Sequence, residues 1–281
     1  MKNKNEIAIL LASYNGEKFI TEQLESIISQ TNINWTLYIN DDGSTDATLV
    51  IVNTYIKKYP DKIYLLQLQP KTLGASANFF KILETVESDY YMFCDQDDIW
   101  LPDKIEKCFL KIKLAEAERP SAPFIVHTDL VVVDSKLNNL HSSFHQLTKV
   151  NPEKFCTFNY LGVMNCVTGC TMLFNRKAKE LAKVPKDKNV WHDWWLAVNV
   201  AKQGKIIYLN EATILYRQHS NNVLGAQEVN LNYFLNIFMT IKKVLRTDYY
   251  NLKNLRALNY GGFFKYCFYK FLFQIKRTRL N

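Results

Sequence analysis

The chain has 281 residues, 48% hydrophobic and 22% charged, which gives room for one large α/β domain or two small ones and excludes a disordered or fibrous protein. Its net charge of +8 is uneven: Lys242 to Asn281 holds ten Lys or Arg and one acid, a balance of +9 that leaves −1 for everything before it. A nucleic-acid binder more often carries a basic face on its folded domain, so that class is set aside. The six cysteines (Cys94, Cys108, Cys156, Cys166, Cys170, Cys267) form no C-x-x-C pair and several lie in apolar runs, as reduced thiols of a cytoplasmic protein would. The N-terminus leads straight into an apolar strand without a cleavage site, and no stretch reaches the roughly 18 apolar residues of a membrane span. The expectation is a protein neither exported nor integral.

Ile7 to Leu11 reads as a buried strand, Ala12-Ser13-Tyr14-Asn15-Gly16 as a loop, and Glu17 to Gln30 as a helix with Phe19, Ile20, Leu24, Ile27 and Ile28 at helical spacing. A second strand, Thr36 to Asn40, ends in Asp41-Asp42-Gly43-Ser44-Thr45-Asp46, where Gly43 permits a tight turn and Ser44, Thr45 or Asp46 can cap a helix from Ala47 to Lys58. Asp41 and Asp42 suit hydrogen bonds to a base or ribose. For one of Asp41 and Asp46 the expectation is instead a cap with no ligand. A third strand, Ile63 to Leu68, precedes a loop at Gly74 and a helix from Asn78 to Val86. Strands alternating with helices of this length imply a mostly parallel sheet flanked by helices, which binds ligands beyond the C-terminal ends of its strands.

The fourth strand carries the chemistry. Tyr90-Tyr91-Met92-Phe93-Cys94 runs into Asp95, Asp97 and Asp98, three acids within four residues. Each carboxylate costs desolvation beside an apolar strand and repels its neighbours, so the cluster suggests a divalent cation, Mn²⁺ or Mg²⁺, rather than a merely acidic turn. Neither G-x-G-x-x-G nor G-x-x-x-x-G-K-[ST] is present, which argues against a dinucleotide-dependent oxidoreductase and a P-loop ATPase. Carboxylates that hold a metal which in turn holds phosphates point to a nucleoside diphosphate carrying a leaving group.

Asp103 to Glu118 reads as a long helix broken by Pro120 to Pro123, Phe124 to Asp134 as a strand, and residues 135–165 show little periodicity. Asp129 or His127 approaches the sugar, or His127 is a hydrogen-bonded core residue. Val167 to Phe174 returns to strand, with Gly169 allowing close approach of a sugar or marking a bulge. Trp191-His192-Asp193-Trp194-Trp195 sets a carboxylate among indoles, where desolvation raises its proton affinity and Trp191 and Trp194 can stack on sugar faces. The bland reading makes Asp193 a first-turn helix residue and the tryptophans core. After a strand from Ile206 to Leu209, Ile214-Leu215-Tyr216-Arg217-Gln218-His219 places Arg217 and His219 on one side, Arg217 suiting a diphosphate and His219 a third metal ligand or phosphate donor. A surface Arg and an incidental His are the alternative. In the tail, Phe264, Cys267, Phe268, Phe271, Leu272 and Ile275 share a helical face flanked by Lys265 and Lys270, which suits an anionic membrane surface or packing on the domain or on a second subunit.

The segments L-A-S-Y-N-G-E-K-F-I, N-D-D-G-S-T-D-A-T and F-C-D-Q-D-D-I-W-L-P-D-K-I, in this order, resemble the family-2 glycosyltransferases, most densely over Ile7 to Lys107. With W-H-D-W-W and Y-R-Q-H-S-N-N they are most similar to the bacterial rhamnosyltransferases of O-antigen, capsule and cell-wall polysaccharide synthesis. Thr72 departs from the asparagine more usual before Leu73-Gly74. The resemblance implies the α/β GT-A fold with a helical C-terminal extension: residues 1–225 as the transferase domain, 1–119 its nucleotide-binding half and 120–225 its acceptor-binding half, and residues 226–281 the extension. It implies donor contacts from Ser13, Tyr14, Asp41, Asp42 and Asp95, metal ligation by Asp97 with Asp95, a place behind the metal ligands for Asp98, and Asp193 as the base of an inverting transfer. The donor implied is dTDP-L-rhamnose and the acceptor a lipid-linked glycan at the inner face of a membrane. The alternatives are a UDP-hexose donor, or a catalytically silent nucleotide-binding subunit of an assembly complex. No Q-x-x-R-W signature of processive synthases is present.

Overall fold

The apolar runs of the first hundred residues form parallel strands β1 (Ile7–Ser13), β2 (Trp35–Asp41), β3 (Ile63–Leu66) and β4 (Tyr90–Asp95), ordered β3-β2-β1-β4. The computed structural model describes residues 5–69, 72–183, 190–220 and 239–278. Successive side chains of a strand point to opposite faces, so each run feeds two cores. Ile7, Ile9 and Leu11 pack with Leu24 and Ile27 of helix Ile20–Ile28 and Val52 of helix Thr48–Lys58. Ala8 and Leu10 pack with Phe79, Phe80, Ile82 and Leu83 of helix Ala75–Thr85.

The second half makes the sheet mixed. Strands β5 (Ile99–Trp100), β6 (Phe124–Val133), β7 (Asn139–His141), β8 (Leu173–Asn175) and β9 (Lys205–Arg217) continue the order as β4-β8-β6-β9-β5, with β7 on β6. β8 is antiparallel to both β4 and β6, whereas β6 and β9 are parallel. Of the mostly parallel sheet expected, the parallel pattern holds for β1 to β4 and for β6–β9, whereas β8 is antiparallel to both its neighbours and β5 to β9. β9 is one strand where two were expected, with register shifts around Asp129. The strand expected over Val167 to Phe174 begins only at Leu173, because Thr171 N–H and Oγ1 both bond back to Thr168 O and close a 3₁₀ turn over Gly169–Thr171. Within 135–165 lie three four-residue helices, Phe144–Leu147, Pro152–Phe155 and Phe158–Leu161, too short to leave a helical period in the sequence.

The C-terminal helices Ile241–Leu255 and Phe263–Thr278 pack one face on the domain, as one reading of the tail expected. Leu255, Leu258, Tyr260, Tyr266 and Phe273 join the core that holds Phe155, Tyr160 and Leu161, and Arg277 Nε donates to Thr148 O at 2.6 Å. The other face of the last helix leaves Phe264 87%, Phe268 55% and Phe271 63% exposed. The expected start of the extension at residue 226 lies outside the described residues. Gly162 is the seat of this docking: a Cβ there would stand 2.2 Å from the Tyr260 ring, whose hydroxyl donates to Asn159 O. Gly162→Ala is expected to lift the tail, read as faster tryptic cleavage after Lys253 and Arg256 with the rest of the chain intact; unchanged digestion would contradict the packing.

Candidate active site

The C-terminal ends of β1, β2 and β4 converge. Ser13, buried at the end of β1, donates its hydroxyl to Asp41 Oδ2 at 2.9 Å, and Asp41 Oδ1 accepts from the N–H groups of Gly43 and Ser44. The tight turn, with Gly43 at φ 99°, aims those amides back at Asp41. Asp46 caps the next helix by accepting from Thr48 N–H and Oγ1, and its other oxygen takes Glu17 N–H. Asp46 thus makes the helix-start contact expected of one of these acids, whereas Asp41 bonds to the turn and to the hydroxyls of Ser13 and Ser44 and caps no helix. Asp42 accepts from Leu73 and Gly74 N–H at 2.9 and 2.8 Å, fastening the loop that contains Thr72. Tyr14 is 53% exposed, its ring open beside the site.

The backbone of Tyr14 is gripped by Gln96, which accepts from its N–H through Oε1 and donates to its carbonyl through Nε2, both at 2.9 Å. Gln96 stands between Asp95 and Asp97, so the first loop and the acid cluster are held in one register. Gly16 is needed for this grip, because a Cβ there would fall 2.2 Å from Gln96 Oε1. Asp97 Oδ2 lies 2.8 Å from His219 Nε2, and the His219 ring stacks on Phe19 at 4.7 Å. Sequence spacing alone brought Asp97 and His219 no nearer than 122 residues.

Arg217 is placed differently from the expectation of a diphosphate ligand. It is 2% exposed, Nε donates to Asp97 O at 2.8 Å, Nη1 to Ser135 O at 3.0 Å and Nη2 to Glu22, while the guanidinium lies over Phe19. Its backbone N–H donates to Asp98 Oδ1. Bonded inward on three sides, Arg217 braces the acid turn from beneath. Asp98 is fully buried, its Oδ2 has no hydrogen-bond partner among the described residues, and burial with the charges of Asp97 and Asp95 holds its proton affinity well above the usual carboxylate range.

Asp193 opens the helix His192–Gln203. Ser76 fixes that helix start by donating to Val190 O and accepting from His192 N–H. Asp193 Oδ1 accepts from Trp194 N–H at 2.6 Å and Oδ2 from Asn165 Nδ2 at 3.0 Å, and burial pushes its pKa up to about 6 against those bonds. It stands near enough to Asp95 for its charge, after burial and Asp97, to help raise the proton affinity of Asp95. Gly169 packs against Asp193 and its neighbour Cys170 lies against Asp95 and Asp98, so the candidate base and the acid cluster are neighbours. Gly169 lies against both His192 and Asp193, where a Cβ would come within 3.1 and 3.3 Å. His192 is neutral: buried against Phe79 and Phe93, its pKa falls to about 3.

The acid cluster fits a hard divalent cation. Asp95, Asp97 and His219 are half-buried and offer oxygen and imidazole donors, with the unpartnered carboxylate oxygen of Asp98 behind them. Asp95, Asp98 and Cys170 also place one donor atom each within 4.8 Å of one another, but burial and the neighbouring acids hold the Cys170 thiol protonated, which leaves it a poor ligand.

With this geometry in view, the comparisons with known proteins are decisive. The family described as Glycosyl transferase family 2 matches residues 8–181, and the dTDP-rhamnosyl transferase RfbG of Shigella flexneri is 33% identical over 227 residues, 77% of this chain and 74% of that one. The chain belongs to the family 2 glycosyltransferases. Among solved structures it is similar to TarS 1–349 of S. aureus in complex with UDP-GlcNAc (TM-score 0.55, 18% identity, 91% of this chain and 72% of that one). It is also similar to the mannosyltransferase PcManGT of Pyrobaculum calidifontis in complex with GDP-Man and Mn²⁺ (TM-score 0.56, 14% identity, 98% and 83%). These likenesses show the GT-A fold. The chain spans only 37% of the longer S. aureus TarS chain.

As a family 2 glycosyltransferase the chain has its matched span end at residue 181, so Asp193, Arg217 and His219 lie beyond it. Other expected contacts are placed by packing. Trp194 is core, its indole N–H donating to Leu161 O at 2.6 Å, whereas Trp191 is 39% exposed at the helix start. Asp129 is buried and accepts from the N–H groups of Leu130 and Phe144 and from Ser143 Oγ, so both its oxygens are engaged within the fold. His127 is a core residue. Two site residues escaped the sequence reading. Gln96 could have been suspected from its place between two acids, but Asn165 lies in a stretch without period and carried no signal.

Proposed function

We propose that this family 2 glycosyltransferase is an inverting, metal-dependent enzyme that moves L-rhamnose from dTDP-L-rhamnose to a lipid-linked glycan in polysaccharide synthesis. The observation that carries the reading is the nearness of Asp193 to the acid cluster: Gly169 lies against Asp193, and Cys170, the next residue, has its sulfur within 4.8 Å of a carboxylate oxygen of Asp95 and of Asp98. Tyr14 offers its exposed ring to the base, Asp42 holds the adjoining loop, and Asp95, Asp97 and His219 would hold Mn²⁺ or Mg²⁺. The bound cation would offset negative charge on the departing diphosphate. Asp193 takes the acceptor hydroxyl proton as that oxygen attacks the anomeric carbon from the side opposite the diphosphate. Asn165 and Trp194 N–H fix the direction of its carboxylate, and Trp191 is the one indole of its motif free to lie on a sugar face. The rhamnosyl donor is favoured by the similarity to RfbG. Residues 1–119 serve the nucleotide and 120–225 the acceptor. A transfer assay offering dTDP-L-rhamnose and UDP-hexoses over lipid-linked acceptors tests the donor: turnover with dTDP-L-rhamnose alone is expected, and turnover only with a UDP-hexose would replace it.

The acceptor's lipid explains the tail. No helix among the described residues is long and apolar enough to cross a membrane. The open stripe Phe264, Phe268 and Phe271 on a basic helix matches a surface that lies on anionic lipid at the inner face of a cytoplasmic membrane. Replacing the three phenylalanines by serine is expected to abolish sedimentation with phosphatidylglycerol liposomes and leave the protein folded; unchanged sedimentation would rule the membrane role out and leave a dimer contact to be tested by light scattering.

A further inference from the structure

Outside the acid cluster, one group of reactive side chains has no part in sugar transfer. Cys156 Sγ lies 3.3 Å from Cys166 Sγ and 3.5 Å from His127 Nε2. Cys156 ends the helix Pro152–Phe155 and is half-buried, while Cys166 sits just behind it at 6% exposure, so one sulfur is reachable and the other is held in reserve. Neither belongs to a disulfide. The four remaining cysteines are separate from this pair: Cys94, Cys108 and Cys170 are buried and Cys267 is exposed on the tail.

We propose that Cys156 and Cys166 form a peroxide-sensitive dithiol, with Cys156 the attacking sulfur and Cys166 the resolving one. The S–H of Cys166, and His127 beside it, favour the thiolate of Cys156, which is the nucleophilic form. Cys156 Sγ attacks one oxygen of hydrogen peroxide; the O–O bond breaks, a sulfenic acid forms, and the departing hydroxide takes the proton that the thiol gave up. Cys166 Sγ then attacks the sulfenic sulfur, the S–S bond forms as the S–O bond breaks, and the proton of Cys166 leaves with the hydroxide as water. Two thiols lose two electrons and two protons, and the peroxide becomes two waters. A dithiol reductant reverses the step by exchange.

The pair is wired to the transfer site through one residue. Asn165, next to Cys166, donates Nδ2 to Asp193 Oδ2 at 3.0 Å and accepts Val167 N–H at its Oδ1. Closing the sulfurs from 3.3 Å to a bond length of about 2.05 Å draws Cys166 toward Cys156 and pulls Asn165 off the carboxylate. This consequence rests on the role proposed for Asp193; the disulfide itself does not.

The test uses the full chain with Cys267→Ser, which removes the exposed thiol. Hydrogen peroxide followed by iodoacetamide is expected to lower alkylation by two cysteines, with chymotryptic peptides linking Cys156 to Cys166, and dithiothreitol is expected to restore both. Cys166→Ser should hold Cys156 at the sulfenic acid, trapped by dimedone. Full alkylation of both residues after peroxide, or over-oxidation of Cys156 without a link, would overturn the dithiol. Transfer turnover of the oxidised protein is expected to fall at least tenfold and recover with dithiothreitol, while Cys166→Ser stays insensitive. A disulfide that forms without any change in turnover would overturn the coupling through Asn165 and leave the dithiol standing.

Discussion

Asp193→Asn is expected to slow sugar transfer by roughly 10²–10⁴-fold, the usual contribution of a positioned general base, with donor binding unchanged. Asparagine keeps the shape of the side chain and can still accept from Trp194 N–H through one oxygen, so the helix His192–Gln203 keeps its start. What it cannot do is take a proton. The wild-type enzyme carries its own check on this role. Burial holds the Asp193 pKa up to about 6, and only the carboxylate form acts as base. The rate with saturating donor is expected to climb as pH rises through about 6 and to level off above it. In Asp193→Asn that limb should vanish along with the rate. A variant that transfers sugar at the wild-type rate, or a wild-type profile flat from pH 5 to pH 8, would remove the base assignment.

Arg217→Leu is expected to cost about 3 kcal/mol of stability and to abolish metal-dependent donor binding, the lower end of what removing one partner of a buried ion pair costs because Glu22 is half-exposed. The substitution leaves the carbonyls of Asp97 and Ser135 without their donor and strips the cation from the face of Phe19. Phe19 also backs His219, so the loss propagates to the imidazole that meets Asp97. Arg217→Lys is expected to recover only part of the stability, since an ammonium cannot reach three acceptors in the plane of a guanidinium. The readouts are denaturant unfolding and calorimetric titration. A variant of normal stability that fails to bind donor would return Arg217 to the role of phosphate ligand.

The parallel strands β1 to β4 and the acids at their ends were legible because continuous apolar runs and turn residues report local structure directly. Asp95 and Asp97 could be named as candidates for the same reason: charge at the end of a buried strand costs desolvation and calls for a partner. Asp41 could not be told from a ligand, because its role depends on where the amides after Gly43 point, which only the folded turn decides. Arg217 misled in the same way. A cation two residues from a histidine suggests a shared outward face; both side chains do meet Phe19 and Asp97, but Arg217 is drawn inward by the carbonyls of Asp97 and Ser135 and by Glu22, while His219 meets the Asp97 carboxylate. Asn165 and the Cys156–Cys166 contact arise in a stretch of four-residue helices, where no period survives to be read.

The central claim is that the acids at the end of β4, with His219, bind a nucleotide sugar through a divalent cation. The measurement that tests it most directly is calorimetric titration of nucleotide sugars and free nucleoside diphosphates into the protein with Mn²⁺ or Mg²⁺ and again with EDTA, on wild type and Asp97→Ala. Binding of a nucleotide sugar with metal, lost with EDTA and lost in the folded Asp97→Ala protein, is the predicted result. Binding of equal strength with EDTA, or undiminished in Asp97→Ala, would contradict it.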